Sequence, residues 1–371
     1  MILSTWTWVD EITARPDMKP LRILILGASF GGLLGLRIAA AGHRVTFACR
    51  EQEAALINRG KLLLRLPAKD HEGTIEIGAA QCPAPPGAGI PAEIDPNQYD
   101  LICLAMQEPS YSAPGVRELV GRIAASRIPC LSIMNMPLPP DLAKLAALDV
   151  QSLEEIYTEA ALWSDFDPDL IALASADPQT TRSDSKDALI ISVTLASNFK
   201  VAAFVRPQHQ QVLQRLANDI DSCRIPAGGA LVQPFVRLRL YESVFVPLVK
   251  WPMLITGNFR CITDGEPVSI AHAVCNDETE SRELYECIYQ LCIRIGAEKE
   301  MMVSFDRYLS AARSLTQPSS VARAIHSGAS SVERADRLIK VLAKCHNIDN
   351  PVLNRIVTDV DRKLKHNRVA H

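Results

Sequence analysis

The sequence predicts an α/β domain followed by an all-α domain, and three observations support this fold class. An apolar run at 23–26 leads into a glycine-rich turn, a small-residue helix and a second apolar run at 45–48. Farther along, strand-like and helical patterns keep alternating, which is typical of a parallel sheet. From residue 240 onward the apolar spacing becomes helical. At 371 residues the chain is long enough for two such domains.

The opening strand, turn and helix have the pattern of a dinucleotide-binding unit. Gly27 permits the tight turn, and Gly32 is expected to let the helix pack closely on the strand. The backbone amides at the start of the helix, beginning at Phe30, can hold a diphosphate. The middle glycine of the usual GxGxxG pattern is replaced by Ser29, whose hydroxyl can bond a phosphate oxygen. This unit predicts a Rossmann-type dinucleotide-binding domain. The alternative is a simple tight turn in an α/β core.

Arg50 indicates which dinucleotide is bound. It stands at the end of the second strand, where folds that prefer NAD place an acidic residue on the ribose hydroxyls. An arginine at this place suits the 2′-phosphate of NADP. The sequence therefore favours NADP(H) as the cofactor. Because Glu51 follows directly, a shift of one residue would reverse this interpretation, and a solvated loop arginine is the alternative.

The remaining patterns define the predicted elements and domains. In the first domain, strands are predicted at 62–66, 74–77, 99–106 and 129–134 and within 188–205, and helices at 51–60, 116–126 and 208–221. The segments 82–96 and 177–186 are predicted as loops. In the second domain, helices are predicted at 241–255, 278–295, 305–311, 332–345 and 352–365. The expected division is an extension at 1–20, a dinucleotide-binding domain at 21–235 and a helical domain for substrate and dimerisation at 236–371.

Composition narrows the partners. A net charge of −3 gives no electrostatic footprint for nucleic acid. The ten cysteines are scattered without a CxxC pair, and the eight histidines lack metal-ligand spacing, so no metal site is predicted. Mostly buried, reduced thiols are typical of a cytoplasmic protein. No apolar run reaches the roughly 18 residues of a membrane span. A small-molecule substrate is the predicted partner.

Four segments together resemble the ketopantoate reductase family. They are the Gly27 turn with Arg50, the strand 129–134 ending in Asn135, the segment 254–258 leading to Asp264-Gly265-Glu266, and the helix from Val332 leading to Asn350-Pro351. The likeness covers nearly the whole chain after Leu21. It implies a Rossmann domain followed by a helical domain, with NADPH-dependent reduction of a 2-keto acid.

Several polar positions depart from that family. The position of its catalytic lysine falls near Val246, and Lys250 lies one turn later, where the family has a substrate-contacting asparagine. A strand that usually ends in lysine ends here in Gln107, which is taken as a cofactor contact. The family's acidic substrate ligand falls on Arg334, with Glu333 beside it. Because these polar positions differ from the family, we expect a different substrate or a lost activity.

Two residues are the predicted catalytic groups. Lys250 lies in an otherwise apolar stretch and, because an unpaired buried ammonium is costly, must reach a carboxylate, a cleft or solvent. In a cleft it would be the proton donor; the alternative is a surface lysine. Asn135, at the end of a strand, suits a bond to the ribose or the substrate, and an ordinary turn residue is the alternative.

Three further residues are candidate substrate contacts. Arg334 would favour a substrate carboxylate or phosphate, or would pair with Glu333 or Asp336 at the surface. Glu333 is the neighbouring acid. Ser320 corresponds to a family serine that touches the substrate, with a helix N-cap as the alternative.

These observations predict an NADPH-dependent reductase of a small 2-keto acid or a related carbonyl or imine compound. An opine-type dehydrogenase, which joins an amino acid to a keto acid, and a non-catalytic NADP-binding protein are the alternatives. A homodimer is predicted as well, because the helix from Val352 to Leu364 has a long apolar face that a twofold partner would cover.

Overall fold

A computed structural model describes residues 19–144, 156–175, 180–184, 187–193 and 198–370, and their contacts divide the chain into two compact units. The first unit contains the described residues of 19–106, 114–134 and 165–242. The second contains those of 107–113, 135–164 and 243–370. The expected extension at 1–20 lies outside the described residues except for its last two positions.

The first unit contains two β-sheets, and its first strand lies inside the larger one. In chain order the described strands are β1 (Arg22–Leu26), β2 (Arg44–Ala48), β3 (Leu62–Lys69), β4 (Thr74–Ile77), β5 (Gly87–Gly89), β6 (Leu101–Leu104), β7 (Cys130–Ile133), β8 (Ile171–Ser175), β9 (Thr180–Asp184), β10 (Leu189–Val193), β11 (Phe199–Ala202), β12 (Ile225–Ala227), β13 (Ala230–Pro234) and β14 (Leu238–Tyr241). The main sheet has the order β14-β11-β8-β7-β6-β1-β2-β5. Its pairs are parallel except β8 with β11. The strand β1 is fully surrounded, since Ile25 lies opposite Phe47 of β2 and Cys103 of β6, all three side chains being buried.

Helices cover the sheets of the first unit and form most of the second. In chain order the described α-helices are α1 (Phe30–Ala40), α2 (Glu51–Asn58), α3 (Val116–Ser126), α4 (Pro139–Leu142), α5 (Pro207–Ser222), α6 (Trp251–Met253), α7 (Ile270–Cys275), α8 (Glu278–Arg294), α9 (Phe305–Ala312), α10 (Ser320–His326), α11 (Ala335–Cys345) and α12 (Pro351–Ala370). The predicted strand at 74–77 and helix at 116–126 are found with those bounds. The predicted fold class, a Rossmann-type α/β domain followed by a helical domain, is confirmed.

A second sheet, absent from the sequence prediction, packs against α1. Its order is β12-β13-β3-β10-β9, with β4 paired to β3. A Cβ atom on Gly31 would lie 2.4 Å from Ile25 of β1, whereas one on Gly32 would lie 2.3 Å from Ile191 of β10. Gly31 therefore permits the close approach to the first strand. The prediction that Gly32 lets the helix pack on the first strand was wrong, because Gly32 faces the second sheet.

Three predicted segments differ from the structure for physical reasons. The segment 82–96, predicted as a loop, contains β5, which forms because it pairs parallel with β2. The segment 177–186, predicted as a loop, contains β9, which forms because it pairs antiparallel with β10. The helix predicted from Tyr241 begins instead as a 3₁₀ helix at Val246, and Tyr241 ends β14. Pro247 and Pro252 lack the amide hydrogens of a regular α-helix, and the path continues through α6 into a π-helix at Leu254–Asn258.

The helical unit has its own aromatic core, and it buries the apolar face of its last helix. Tyr285 of α8 stacks on Tyr308 and meets Phe305 edge-on, with centroid separations of 5.4 Å in both pairs. On α12 the apolar face is buried within the chain, where Val360 and Leu364 are 0% and 1% exposed. The premise of the dimer prediction, an exposed apolar face on this helix, was therefore wrong.

Candidate cofactor and catalytic sites

The turn after β1 requires glycine. Gly27 has a φ of +94°, and a Cβ there would lie 2.6 Å from Met106 and 3.0 Å from the Ala105 carbonyl oxygen. Its amide donates to the Ala48 carbonyl oxygen at 3.0 Å, which ties the turn to β2. The helix α1 begins at Phe30, whose side chain is outside the described part of the structure. The steric role that the sequence assigns to Gly27 is thus present.

The Ser29 hydroxyl is already bonded to a side chain from the second sheet. Ser29 occupies the N-cap position of α1 without capping it, and its Oγ accepts a hydrogen bond from Arg182 Nη1 at 2.7 Å. Nη2 of Arg182 binds Glu53 Oε1 at 2.5 Å. Sequence reasoning missed Arg182 because β9 lay in a segment predicted as a loop.

Arg50 and Glu53 form the corner at the end of β2. Arg50 is the N-cap of α2, its side chain is 78% exposed, and its Nη2 lies 2.8 Å from Glu53 Oε1. Burial disfavours the charge of Glu53, but hydrogen bonds from Arg50 and Arg182 outweigh this and lower the pKa of its carboxyl. The acidic residue of this corner is therefore Glu53 rather than Glu51, and it is held between two guanidinium groups.

In the second unit, the backbone of Asn135 is bonded to Glu333 and to Trp251, the residue that follows Lys250. Its carbonyl oxygen accepts a hydrogen bond from the Trp251 indole Nε1 at 3.2 Å. Its amide donates to the Glu333 carboxylate. Lys250, directly before Trp251, is half-buried at the end of the 3₁₀ helix. Hydrogen bonds thus connect Asn135 with the Glu333 carboxylate and with the neighbour of Lys250.

Two carboxyl groups lie close together in this region. Glu333 also accepts the amide of Glu108, whose own carboxyl receives the Thr158 amide at 3.0 Å and the Thr158 hydroxyl at 2.9 Å. Burial raises the pKa of Glu333 to about 8, the amide of Asn135 opposes this, and the charge of Glu108 adds to it. Burial raises the pKa of Glu108 as well. Glu333 is consequently mostly protonated at neutral pH and able to donate a proton. Gln107, which precedes Glu108, is half-buried.

Arg334 is engaged by carboxylates of its own unit. Its Nε and Nη2 donate to the two carboxylate oxygens of Asp336 at 2.9 and 2.8 Å, and its Nη1 donates to Asp361 at 2.5 Å. Burial disfavours the charge of Arg334, but its hydrogen bonds to the carboxylates of Asp336 and Asp361 outweigh this and raise the pKa of the guanidinium. The predicted alternative of pairing with Asp336 is found, although the pair is buried and not at the surface. This fork compensates Asp336, which is 0% exposed.

The N-cap at the start of α10 is Ser319 and not Ser320, so that part of the sequence interpretation was wrong. The Ser319 Oγ accepts the Ala322 amide at 3.2 Å and donates to the Asn258 carbonyl oxygen at 2.7 Å. Ser320 is the exposed first residue of the helix. An N-cap residue needs an extended backbone so that its side chain can reach the first amides of the helix, and here that residue is Ser319.

The described residues contain neither a metal-ligand cluster nor a membrane-spanning helix. Within these residues, no group of three or more His, Cys, Asp or Glu side chains could hold a metal ion. None of the helices described here is both long and apolar enough to span a membrane.

The raised pKa of Glu333 gives a prediction for stability. Its ordinary value is 4.5 and its folded value is about 8, so the folded state holds the extra proton between these pH values. The stabilisation is complete below pH 4.5 and is lost as the pH rises through 8, with a slope of at most about 1.4 kcal/mol per pH unit, reduced by the partial exposure of the group. Because glutamine does not titrate, the difference in unfolding free energy between the wild type and Glu333→Gln should change over this range in urea titrations. Parallel curves would contradict the prediction.

Comparison with known proteins identifies the fold. No protein-family model matches the chain, and no curated protein matches it either. D-mandelate dehydrogenase, solved with NADH and anilino(oxo)acetate, is 13% identical with a TM-score of 0.63, over 94% of this chain and all of that one. The 2-dehydropantoate 2-reductase from Methylococcus capsulatus is 13% identical with a TM-score of 0.64, over 94% of this chain and 98% of that one. A dimeric ketopantoate reductase from Staphylococcus aureus is 11% identical with a TM-score of 0.57, over 94% and 100%. The chain has the ketopantoate reductase fold at low sequence identity, which confirms the predicted resemblance.

Proposed function

We propose that this protein is a reductase of a small 2-keto acid, or of a related carbonyl or imine compound, with NADP(H) as its cofactor. The observation that carries the proposal is the Gly27 turn, which follows the strand at which the order of the main sheet reverses, with β2 on one side and β6 on the other. Ligands of open α/β sheets bind beyond the carboxyl ends of the strands at such a point. The similar structures of a dehydrogenase with NADH and of 2-dehydropantoate reductases support the same class.

The residues around this turn fit a dinucleotide. The absence of a Cβ on Gly27 keeps the turn tight, and the amides at the start of α1, from Phe30, together with the Ser29 hydroxyl are donors suited to a diphosphate. Arg50 offers an exposed guanidinium for a 2′-phosphate. Gln107 remains a predicted cofactor contact.

The chemistry divides between cofactor and protein. A bound reduced nicotinamide supplies the hydride. The protein must orient the substrate and deliver a proton to the developing negative oxygen. Lys250 is the proposed proton donor. Asn135 is proposed to form a hydrogen bond with the ribose or the substrate. Glu333 is proposed to contact the substrate and is the second candidate for the proton donor. Because Arg334 is already bonded to Asp336 and Asp361, its neighbour Glu333 is the stronger candidate for a residue that contacts the substrate.

Turnover assays test the proposal against its alternatives. The purified protein is mixed with NADPH or NADH and a panel of small 2-keto acids, and oxidation of the cofactor is followed. Oxidation with a 2-keto acid alone supports the reductase. Oxidation that requires an added amino acid would indicate an opine-type dehydrogenase. Tight binding of the cofactor without turnover of any compound would indicate a non-catalytic dinucleotide-binding protein.

The cofactor preference depends on Arg50. Removing one set of charge-assisted hydrogen bonds costs about 1.5–3 kcal/mol, so Arg50→Ala should weaken NADPH binding at least about tenfold and leave NADH binding nearly unchanged. Fluorescence titration with both cofactors measures this. Arg59→Ala, at the other end of α2, is the matched control. Equal affinities of the wild type for the two cofactors would contradict the preference.

We also propose that the protein is a homodimer, as the similar structure from Staphylococcus aureus is described. Light scattering should then give about twice the chain mass of 40.7 kDa, whereas the mass of one chain would contradict it.

A further inference from the structure

Two arginines from distant parts of the sequence bind one carboxylate oxygen at the end of β2. Glu53 Oε1 lies 2.8 Å from Arg50 Nη2 and 2.5 Å from Arg182 Nη2. The side chain of Arg182 is 19% exposed and that of Glu53 is 10% exposed. Arg182 also donates to the Ser29 hydroxyl at 2.7 Å, so it reaches from the β2 corner to the turn after β1.

The paired guanidinium groups of this cluster suit a phosphate monoester. Two guanidinium groups lie together beside the place where a Rossmann fold holds the adenosine ribose. A phosphate monoester carries close to two negative charges at neutral pH, and a guanidinium binds it through a planar pair of N–H donors. Because Glu53 accepts hydrogen bonds from both arginines, it is a weaker acceptor for the ribose hydroxyls of NAD than an unpaired acid would be.

We propose that Arg182 is a second ligand of the 2′-phosphate of NADPH, beside Arg50, and that Glu53 positions both guanidinium groups. This inference rests on the proposed binding of a dinucleotide at the Gly27 turn. It assigns cofactor selectivity to a residue of the second sheet, since Arg182 lies on β9 and pairs across to β10. The Ser29 bond sets the direction of the side chain along the edge of the turn.

Binding of intact cofactors and of their adenosine fragments tests this assignment. In Arg182→Ala, the dissociation constants of NADPH and of 2′,5′-ADP should rise at least about tenfold, with those of NADH and 5′-ADP within about twofold of the wild type. Arg182→Lys keeps the charge but not the planar donor pair and should lose part of the preference. Arg65→Ala, on β3 of the same sheet and in an exposed pair with Glu76, is the matched control and should bind like the wild type.

The outcomes separate this inference from the function on which it depends. Equal weakening of NADPH and NADH by Arg182→Ala would assign Arg182 to the diphosphate or to the fold and would overturn the inference. If that variant does not fold, Arg182→Lys decides: a selective loss of NADPH affinity supports the inference and an equal loss overturns it. A wild-type protein that binds neither cofactor would overturn the proposed function itself.

Discussion

Lys250→Ala is expected to lower the rate of 2-keto acid reduction by about 10²–10⁴ while leaving NADPH affinity nearly unchanged. Lys250 is half-buried between Val249 and Trp251, which are each 1% exposed. Trp251 is bonded to the Asn135 carbonyl oxygen, and the Asn135 amide is bonded to Glu333. The segment of Lys250 is therefore linked to the Glu333 carboxyl through the backbone of Asn135. Lys250→Arg should not restore the rate, because a guanidinium does not release its proton near neutral pH.

Single-turnover kinetics with NADPH measure this effect separately from cofactor binding. Lys365→Ala, which removes an exposed lysine of α12, is the control and should keep the wild-type rate. Glu333→Gln distinguishes the two possible donors, because it keeps the size of the side chain and removes its proton. An active Lys250→Ala together with an inactive Glu333→Gln would transfer the role of proton donor to Glu333 and contradict the assignment of Lys250.

Arg334→Ala is expected to destabilise the protein by about 3–5 kcal/mol, the usual result of breaking a buried ion pair from one side. The substitution removes two hydrogen bonds from Asp336, which is fully buried, and leaves its carboxyl without the guanidinium that compensates it. Urea unfolding at neutral pH measures the loss. A substrate-binding arginine would behave differently, since its removal would weaken substrate binding and leave the unfolding free energy nearly unchanged.

Two further variants check the reason for the Arg334 effect. Arg362→Ala breaks contacts with Asp359 and Asp264 that are largely exposed to solvent, and should destabilise the protein far less than Arg334→Ala. Replacing Arg334 by methionine and Asp336 by leucine together should recover much of the stability, because no uncompensated buried carboxyl remains. A double variant as unstable as Arg334→Ala would show that the ion pair is not the cause.

The sequence by itself determined the features that depend on local backbone geometry and local apolar spacing. Gly27 is recognisable because a turn with positive φ follows an apolar strand. The helix at 116–126 is recognisable because its buried residues repeat at helical spacing. The fold class followed from the order of such elements, and the family resemblance followed from short motifs along nearly the whole chain.

The tertiary structure alone decided which distant residues meet and which groups lose their water. Arg182 is 153 residues from Ser29 along the chain, and its strand exists because β10 supplies the hydrogen-bonding partner. Local patterns could not show which of Arg334 and Glu333 is the better candidate to contact the substrate. Arg334 is bound by Asp361 of α12, whereas the Glu333 carboxylate accepts hydrogen bonds from the amides of Asn135 and Glu108. Burial sets the pKa of Glu333, and burial comes from packing between segments that the sequence places far apart.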